Sequence, residues 1–499
     1  MNIRRSLGGC SLGGLVALVA LLSACSAPVA LPEARSATVE PQAVARPAPS
    51  ECPRAARLDK AALAAEAACW LAEYIRIDTT NPPGNEVAAA RYLVQLLERE
   101  GIASELVEPS PGRANLIVRL PGRAPGRALM LMHHMDVVPA SAHEWSVAPS
   151  SGEIRDGSVW GRGSIDNKGG GVVELLALVM FKRLGLVPAR DLVLVALADE
   201  ESGGRWGSRW LVEQRKELFG DVEFVLNEGG GVLELPTGQI LYSVEIAQKA
   251  PLWLRVTARG KSGHGGAPSP NSATAVLIRA LARLEGHAFP IEVSPEVSAV
   301  FAARAAGKPE AERARYASLK ASLADPQFRE RFLQDPHDAA LVRNTVAVTM
   351  LSGSTKENVV SDRATAVLDV RLLPGQDPVV VTRELTAVLA EPALELEPLL
   401  SWQAHRSPRD TPLFAAIERL AKQRHPGARV ASNVIGGFTD CNAVRSLGKT
   451  CYGFLPLQLA LTDIGSIHGK DEHISIDALG QAVLDLHLLI RELGGPGPK

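Results

Sequence analysis

The sequence predicts an α/β fold, a central sheet with helices on both faces that is interrupted by a second, smaller α/β unit. Two observations predict it: short apolar runs alternate with helical stretches over residues 57–247, and a βαββαβ order follows between Gln248 and Gln403. A third observation agrees with both. His, Asp and Glu residues cluster directly after the apolar runs, where open α/β sheets gather ligands at the carboxyl ends of their strands.

Taken in order, Ala61–Ile75 reads as a helix and Glu86–Glu100 as a second, stopped by Gly101 in a C-cap position. Apolar strands follow at Asn115–Leu120, Ala128–Met132, Asp191–Ala198 and Glu223–Leu226, interleaved with helices near Gly171–Leu184 and Trp206–Leu218. The second unit runs as strand Leu252–Thr257, helix Asn271–Leu284, strands Thr345–Leu351 and Ala364–Arg371, helix Pro378–Leu389 and strand Leu394–Leu400. That order is ferredoxin-like. A long insertion, about Pro290 to Arg343, separates its first helix from its second strand.

Composition narrows the function classes. The chain's 499 residues allow two or three domains, at about 150 residues each. Lys plus Arg at 53 against Asp plus Glu at 55 leaves a net charge of −2, with no basic field for nucleic-acid phosphates. Hydrophobic residues at 46% and charged residues at 22% exclude wholesale disorder and a multi-span membrane protein.

The first residues read as a targeting segment. Arg4 and Arg5 precede an apolar run from Leu7 to Leu22 that ends in Leu22-Ser23-Ala24-Cys25, the pattern of a bacterial lipoprotein signal. The run is shorter than the roughly 20 residues a spanning helix needs. Residues 1–24 are therefore expected to be a signal peptide, Cys25 the lipid-bearing mature N-terminus, and residues 25–56, rich in Ala and Pro, a tether. Ser26 after the cysteine favours the outer membrane, so the expected place is the cell envelope, lipid-anchored and facing the periplasm, or outside the cell. There, Cys52 with Cys69 and Cys441 with Cys451 could form disulfides.

Five motifs follow apolar runs or lie near the C-terminus: His133-His134-Met135-Asp136, Gly161 to Asp166, Asp199-Glu200-Glu201, Asn227-Glu228 and Ile467-His468. Singly each is weak, because a carboxylate at a strand end is more often a helix cap or a surface charge. Together, from about residue 57 to 495, they resemble the dizinc exopeptidases and deacylases that include glutamate carboxypeptidase, acetylornithine deacetylase, succinyl-diaminopimelate desuccinylase and aminoacylase. The long insertion is most similar to the branch with carboxypeptidase S and N-acyl amino acid hydrolases.

The resemblance implies a zinc-exopeptidase-like catalytic domain formed by residues 57–247 and 404–499, with residues 248–403 as an inserted lid and usual dimerisation surface. It implies two Zn²⁺ ions, with Co²⁺ or Mn²⁺ able to take the same ligands. His134 would bind one metal and His468 the other, Asp166 would bridge them, Glu201 would ligate one and Glu228 the other. Asp136 would orient His134, and Glu200 would be the general base. Imidazole nitrogen and carboxylate oxygen suit zinc, and paired metals lower the pKa of a shared water to supply hydroxide near neutrality. The base must lie beside a ligand without being one, which consecutive Glu200 and Glu201 allow if the strand end points them apart. His133 competes with His134, but the H-x-D spacing selects His134.

Lys261-Ser-Gly-His264-Gly-Gly-Ala-Pro matches the family's histidine motif, so His264 would donate to the oxyanion, commonly in a second copy's site. Arg371 matches the residue expected to clamp a substrate carboxylate, with Asn344 as helper; a structural ion pair is the competing role for Arg371. The Gly436–Asp440 loop is expected to line the substrate pocket, and Trp206, Trp253 and Trp402 could shape an apolar part of it. Asn227 stands where relatives often carry Asp, and Gln248-Lys249-Ala250 replaces a common Glu-Lys-Gly. The reading is a dizinc amidohydrolase cleaving small peptides that bear a free carboxylate. N-acyl amino acid deacylation is the alternative, and a non-catalytic periplasmic binding protein is the contrasting class, disfavoured by the intact Glu200. A phosphoester substrate is disfavoured, because the sequence shows no cluster of positive groups to hold its phosphate.

Overall fold

The computed structural model describes residues 52–235, 238–305 and 308–493. The expected signal peptide, Cys25 and nearly all of the tether lie outside the described residues. Among the described residues, no helix is long and apolar enough to cross a membrane.

The larger sheet has ten strands. At its centre, Arg190–Leu197, Ala124–His134, Val222–Asn227 and Thr450–Gly453 lie side by side and parallel, and Arg113–Leu120 adds antiparallel to the first of them. Side chains alternate across this sheet with period two. Leu129 and Leu131 pack into one core with the helices Lys60–Ile75, Glu86–Arg99, Lys168–Arg183 and Ile476–Glu492, while Met130 and Met132 face the other way, toward Ser208–Gln214 and Cys441–Arg445. Both faces are therefore covered, as the apolar runs require. Asp59 and Ser475 cap the first and last of these helices with side-chain oxygens. The helix Lys168–Arg183 is buried on all sides for most of its length, and Gly171 lets it close on the sheet: a Cβ there would lie 2.3 Å from the His133 ring.

One expected element changes. The helix foreseen over Trp206–Leu218 is two pieces, an α-helix Ser208–Gln214 and a 3₁₀ turn Lys216–Phe219, parted at Arg215. Arg215 leaves helical geometry there, and its guanidinium reaches Glu105 and Glu217. Cys52 with Cys69 and Cys441 with Cys451 are disulfide-bonded.

The chain leaves the large sheet through Ile240–Gln248 and enters a second sheet at Ala250–Arg259. This sheet has four antiparallel strands in the order Thr345–Ser352, Arg363–Leu372, Ala250–Arg259, Glu395–Ser401. Numbered along the chain that order is 2-3-1-4, the ferredoxin-like arrangement. Arg363–Leu372 alternates buried and half-exposed residues, and the helices Ala273–Glu285 and Pro378–Leu389 cover its buried face in a core of their own. Lys249 sits at the crossing point, fully buried, and its ammonium donates to the Ala340 and Arg343 carbonyls and to the Thr345 hydroxyl at 2.8–3.0 Å.

The insertion between the first helix and second strand of this unit is helical. Its segments Pro295–Arg304, Glu310–Ala317 and Pro326–Leu333 share an aromatic core in which Phe301, Tyr316, Phe328 and Phe332 touch. That core also takes in Ala247 and Val434, so the insertion lies against the large sheet, along its strand Arg429–Ile435.

Candidate active site and metal centre

Strand ends deliver the chemistry. The strand Ala124–His134 carries both histidines, and the pleat turns them to opposite faces. His133 is fully buried against Glu174, with Nδ1 2.9 Å from the carboxylate, and burial beside His134 pushes it down to about 3. His134 faces the other way. Its Nε2 lies 2.9 Å from Asp166 and 3.5 Å from Glu228, and its Nδ1 is 2.9 Å from the Asp136 carbonyl.

Asp166 stands in the loop before the helix Lys168–Arg183 and faces both histidines. Its second oxygen is 3.2 Å from His468 Nε2, which is in turn 3.3 Å from Glu201. Two groups of donor atoms result, His134/Asp166/Glu228 and Asp166/Glu201/His468, each within 4.8 Å, with Asp166 common to both. All five residues foreseen as metal donors are thus brought together, Glu228 with His134 and Glu201 with His468, a grouping the sequence had left open. Asn227, the neighbour of Glu228, is buried with its amide unpartnered among the described residues, and stands in neither group.

Electrostatics argue that the cluster holds cations. Burial pushes Glu228 up to about 8, with Asp166 adding to the effect against His134. Burial likewise raises Glu201, again with Asp166 adding to it. Asp166 goes the other way: burial opposes its ionisation, but hydrogen bonds from His134 and His468 outweigh that and hold it well below the carboxylate range. Hydrogen bonds to Asp166 and Glu201 raise His468 to about 10. Carboxylates this crowded either retain protons or share positive ions. Glu201 Oε1 is buried without a hydrogen-bond partner among the described residues, a free oxygen donor of the kind a divalent ion takes. The residues present fit two metal ions.

Glu200 lies beside this group and in neither donor set. It is 6% exposed. Burial raises its carboxyl well above the ordinary value; His134 opposes the shift, and Glu228, Glu201 and Asp440 add to it. The backbone that aims Glu200 and Glu201 is held by Asp136, whose two oxygens accept from the Glu200 and Glu201 N–H groups, each at 3.1 Å. Asp136 therefore grips two functional groups, His134 mainly through its carbonyl and the Glu pair through its carboxylate. Only the first was foreseen, and it was expected of the side chain.

Several supporting residues were not foreseen. Glu472, completely buried, accepts from the Ile165 and Asp166 N–H groups at 2.7 and 3.0 Å and pairs with Arg162, which fixes the loop that presents Asp166. Asn81 donates to Asp136 at 2.7 Å and to Asp199 at 3.1 Å. Arg113 pairs with Glu86 and Asp199. At the tip of the Gly436–Asp440 loop, burial pushes the Asp440 carboxyl up to about 7 against a hydrogen bond from Ser208. The partners of Glu472 and Arg113 lie 27 to 310 residues away, beyond any local pattern.

The second sheet's candidates stand apart from the cluster. His264 is exposed, in a two-residue strand paired with Val359–Val360, and its Nδ1 accepts from the Gly266 N–H. Arg371 forms a two-bond fork with Asp369, at 2.7 and 3.0 Å, and stacks over Phe438, 4.9 Å from the ring centroid. Asn344 is buried and its side-chain oxygen accepts from the Leu373 N–H. Both therefore make structural contacts within the chain. Trp253 and Trp402 converge on Phe438, with ring centroids 6.3 and 5.0 Å away, whereas Trp206 stacks on Arg205.

Comparison with known proteins agrees with this geometry. The family model described as "Peptidase family M20/M25/M40" matches residues 130–492. N-fatty-acyl-amino acid synthase/hydrolase PM20D1 of Xenopus tropicalis is 30% identical over 366 residues, 70% of this chain and 69% of that protein. Aminoacylase-1 of Sus scrofa is 26% identical, covering 77% of this chain and 85% of that protein. Among solved structures, the M20 family metallo-carboxypeptidase Sso-CP2 from Sulfolobus solfataricus superposes with a TM-score of 0.66 at 19% identity, covering 86% of this chain and 99% of that one. The fold, the clustered metal donors and the matched residues lead to one conclusion: the chain belongs to the M20/M25/M40 peptidase family and is a metal-dependent amide hydrolase.

Proposed function

We propose that the chain cleaves the amide bond of small peptides bearing a free carboxylate, in the manner of a carboxypeptidase or dipeptidase, using two Zn²⁺ ions. One observation carries this reading: two donor sets that share Asp166 lie beside a buried carboxylate, Glu200, that belongs to neither. His134, Asp166 and Glu228 would hold one ion, and Asp166, Glu201 and His468 the other. The ions, when bound, supply Lewis acidity and a water of lowered pKa. Glu200 takes the proton of that water and passes it to the leaving nitrogen, and its raised affinity for a proton suits both halves of the task. Asp136 keeps Glu200 and His134 in register, its carboxylate accepting from the Glu200 N–H and its carbonyl meeting the His134 ring at Nδ1. Arg371 binds the substrate carboxylate, its Nη1 being outside the fork to Asp369, and Asn344 steadies the adjoining strand end.

Deacylation of N-acyl amino acids is the second reading. It is favoured by the likeness to N-fatty-acyl-amino acid synthase/hydrolase and by the cluster of Trp253, Trp402 and Phe438, an apolar lining suited to an acyl chain. A panel of dipeptides and N-acyl amino acids, hydrolysed by the chain with and without a chelator and with zinc, cobalt or manganese restored, decides between them. Cleavage confined to peptides supports the first reading, and cleavage confined to acyl amino acids the second. No cleavage by the metal-loaded chain would favour a binding protein.

Two further proposals concern where and how the chain works. The Arg4-Arg5 segment, the apolar run and Cys25 support lipid anchoring at the cell envelope, tested by labelling with a fatty acid and by Cys25→Ser. The exposed His264 and the apolar free edge Thr345–Ser352 support a homodimer through the second sheet, in which His264 of a second copy donates to the oxyanion.

A further inference from the structure

We propose that Arg113 is a positioning residue for the catalytic carboxylates: it locks Asp199 into the left-handed turn that sends Glu200 and Glu201 to different tasks. The inference rests on the dimetal hydrolase reading and adds to it a residue that stands in neither donor set.

The turn is the difficulty the chain has to solve. Only Ala198 and Asp199 separate the end of the strand Arg190–Leu197 from Glu200, and two consecutive glutamates must then point apart. Asp199 achieves this with φ 70° and ψ 17°, a left-handed conformation uncommon outside glycine that Asp tolerates better than most and that its hydrogen bonds fix. The Asp199 N–H donates to Glu86 at 3.2 Å, and its carbonyl accepts from Ser202 and Gly204. One carboxylate oxygen accepts from Arg113 Nη2 at 2.8 Å and from Asn81 at 3.1 Å; the other accepts from the Trp206 N–H at 3.2 Å.

Arg113 is itself aimed from three sides. Its Nε and Nη2 form a fork on Glu86 at 2.7 and 2.6 Å, and Nη1 donates to the Pro83 carbonyl at 3.1 Å. The Asn81–Gly84 turn wraps the guanidinium so closely that a Cβ on Gly84 would lie 2.5 Å from its central carbon, and Gly84 has φ 83°. Glu86 is completely buried, and the Arg113 side chain is only 10% exposed. A charge placed so deep, with all three of its nitrogens engaged in four hydrogen bonds, is costly unless its geometry is satisfied, which favours a single arrangement of the network. Asn81 carries that arrangement onward to Asp136, whose carboxylate receives the Glu200 and Glu201 N–H groups. The Glu200-Glu201 backbone is thus held from both ends by one connected set of side chains with Arg113 at its root.

Lysine at this position would keep the charge and lose the fork. The test uses the full chain loaded with cobalt(II), comparing wild type with Arg113→Lys for kcat, KM, metal content, thermal midpoint and visible absorption spectrum. The expected result is both metals retained, KM within about twofold, kcat lowered by about 10- to 100-fold because the reacting groups are displaced, and shifted absorption bands because Glu201 is re-aimed. Unchanged kcat and unchanged bands would overturn the proposal. So would a lowered thermal midpoint with a normal spectrum and normal kcat per folded chain, the signature of a residue that only stabilises the fold. If Arg113→Lys does not fold, Asp199→Asn, which removes the charge Arg113 grips while keeping its shape, is judged by the same measures. Should wild type cleave no amide, the hydrolase reading fails while the absorption bands still decide whether Arg113 aims Glu201.

Discussion

At the carboxyl ends of the large sheet the chain completes its own work, whereas at the free edge of the small sheet it leaves groups open. Around the donor cluster, Asp136, Asp199 and Glu472 are each buried and each engaged by N–H or guanidinium donors. On the strand Thr345–Ser352, by contrast, Met350 and Leu351 are 65% and 67% exposed, and the exposed His264 side chain bonds only within its own turn among the described residues. The contrast teaches that the two halves of the reaction are prepared differently. On the proposed reading, nucleophile and base would be pre-arranged within one chain, and the proposed oxyanion donor would wait on association with a second.

Four measurements break or sharpen this contrast. The largest effect is expected from Glu200→Gln, which should retain both metals while turnover falls by about 10²–10⁴-fold; most of the activity surviving would mean that the base lies elsewhere. Next is the buried pair of Arg445 with Glu245, both side chains fully inaccessible and 2.7 Å apart. Arg445→Met strands a buried carboxylate, so chemical denaturation should show a loss of about 3–5 kcal/mol. A loss near zero would show that the large sheet's interior is less committed than its bonding suggests.

His264→Ala should lower kcat by about 10²-fold with metal content intact. Its more telling form is a mixture: Glu200→Gln and His264→Ala chains, each weak alone, should regain activity on exchange of subunits. Failure to complement, with exchange demonstrated, would place His264 in its own chain's site or in none. The smallest effect on folding belongs to Leu351→Lys on the open edge, expected within about 0.5 kcal/mol of wild type. The same change should shift the chain toward monomer in analytical ultracentrifugation. A dimer of undiminished strength would remove this edge from the interface.

Much of the donor cluster was legible because His134, Glu201 and Glu228 each sit at or just after an apolar run, and a strand end in an α/β sheet is a place where side chains converge. The choice of His134 over His133 was also legible, in the H-x-D spacing that sets Asp136 beside the His134 ring. Arg371 shows a signal that was available and not used: Asp369 lies two residues earlier on the same strand, hence on the same face, and takes up the guanidinium fork. The roles of Arg113, Asn81 and Glu472 were not legible at all. A lone arginine in a strand is an ordinary residue until the fold sets it against an aspartate 86 positions later. The break at Arg215 escaped for the same reason, because Glu105 belongs to a distant strand.

The insertion's placement along Arg429–Ile435 has a consequence for survival as well as for shape. A border strand is a template onto which other chains can add, and the helix Pro295–Arg304 occupies that flank with Ala303 packed against Ala431. The protein therefore guards this border while the strand Thr345–Ser352 of the small sheet stays exposed. Shortening the insertion would uncover backbone that has evolved no charge or proline to repel strangers: residues 430–435, Val-Ala-Ser-Asn-Val-Ile, are uncharged. A shortened chain should then fail by precipitating, from the border that lies away from the proposed dimer contact.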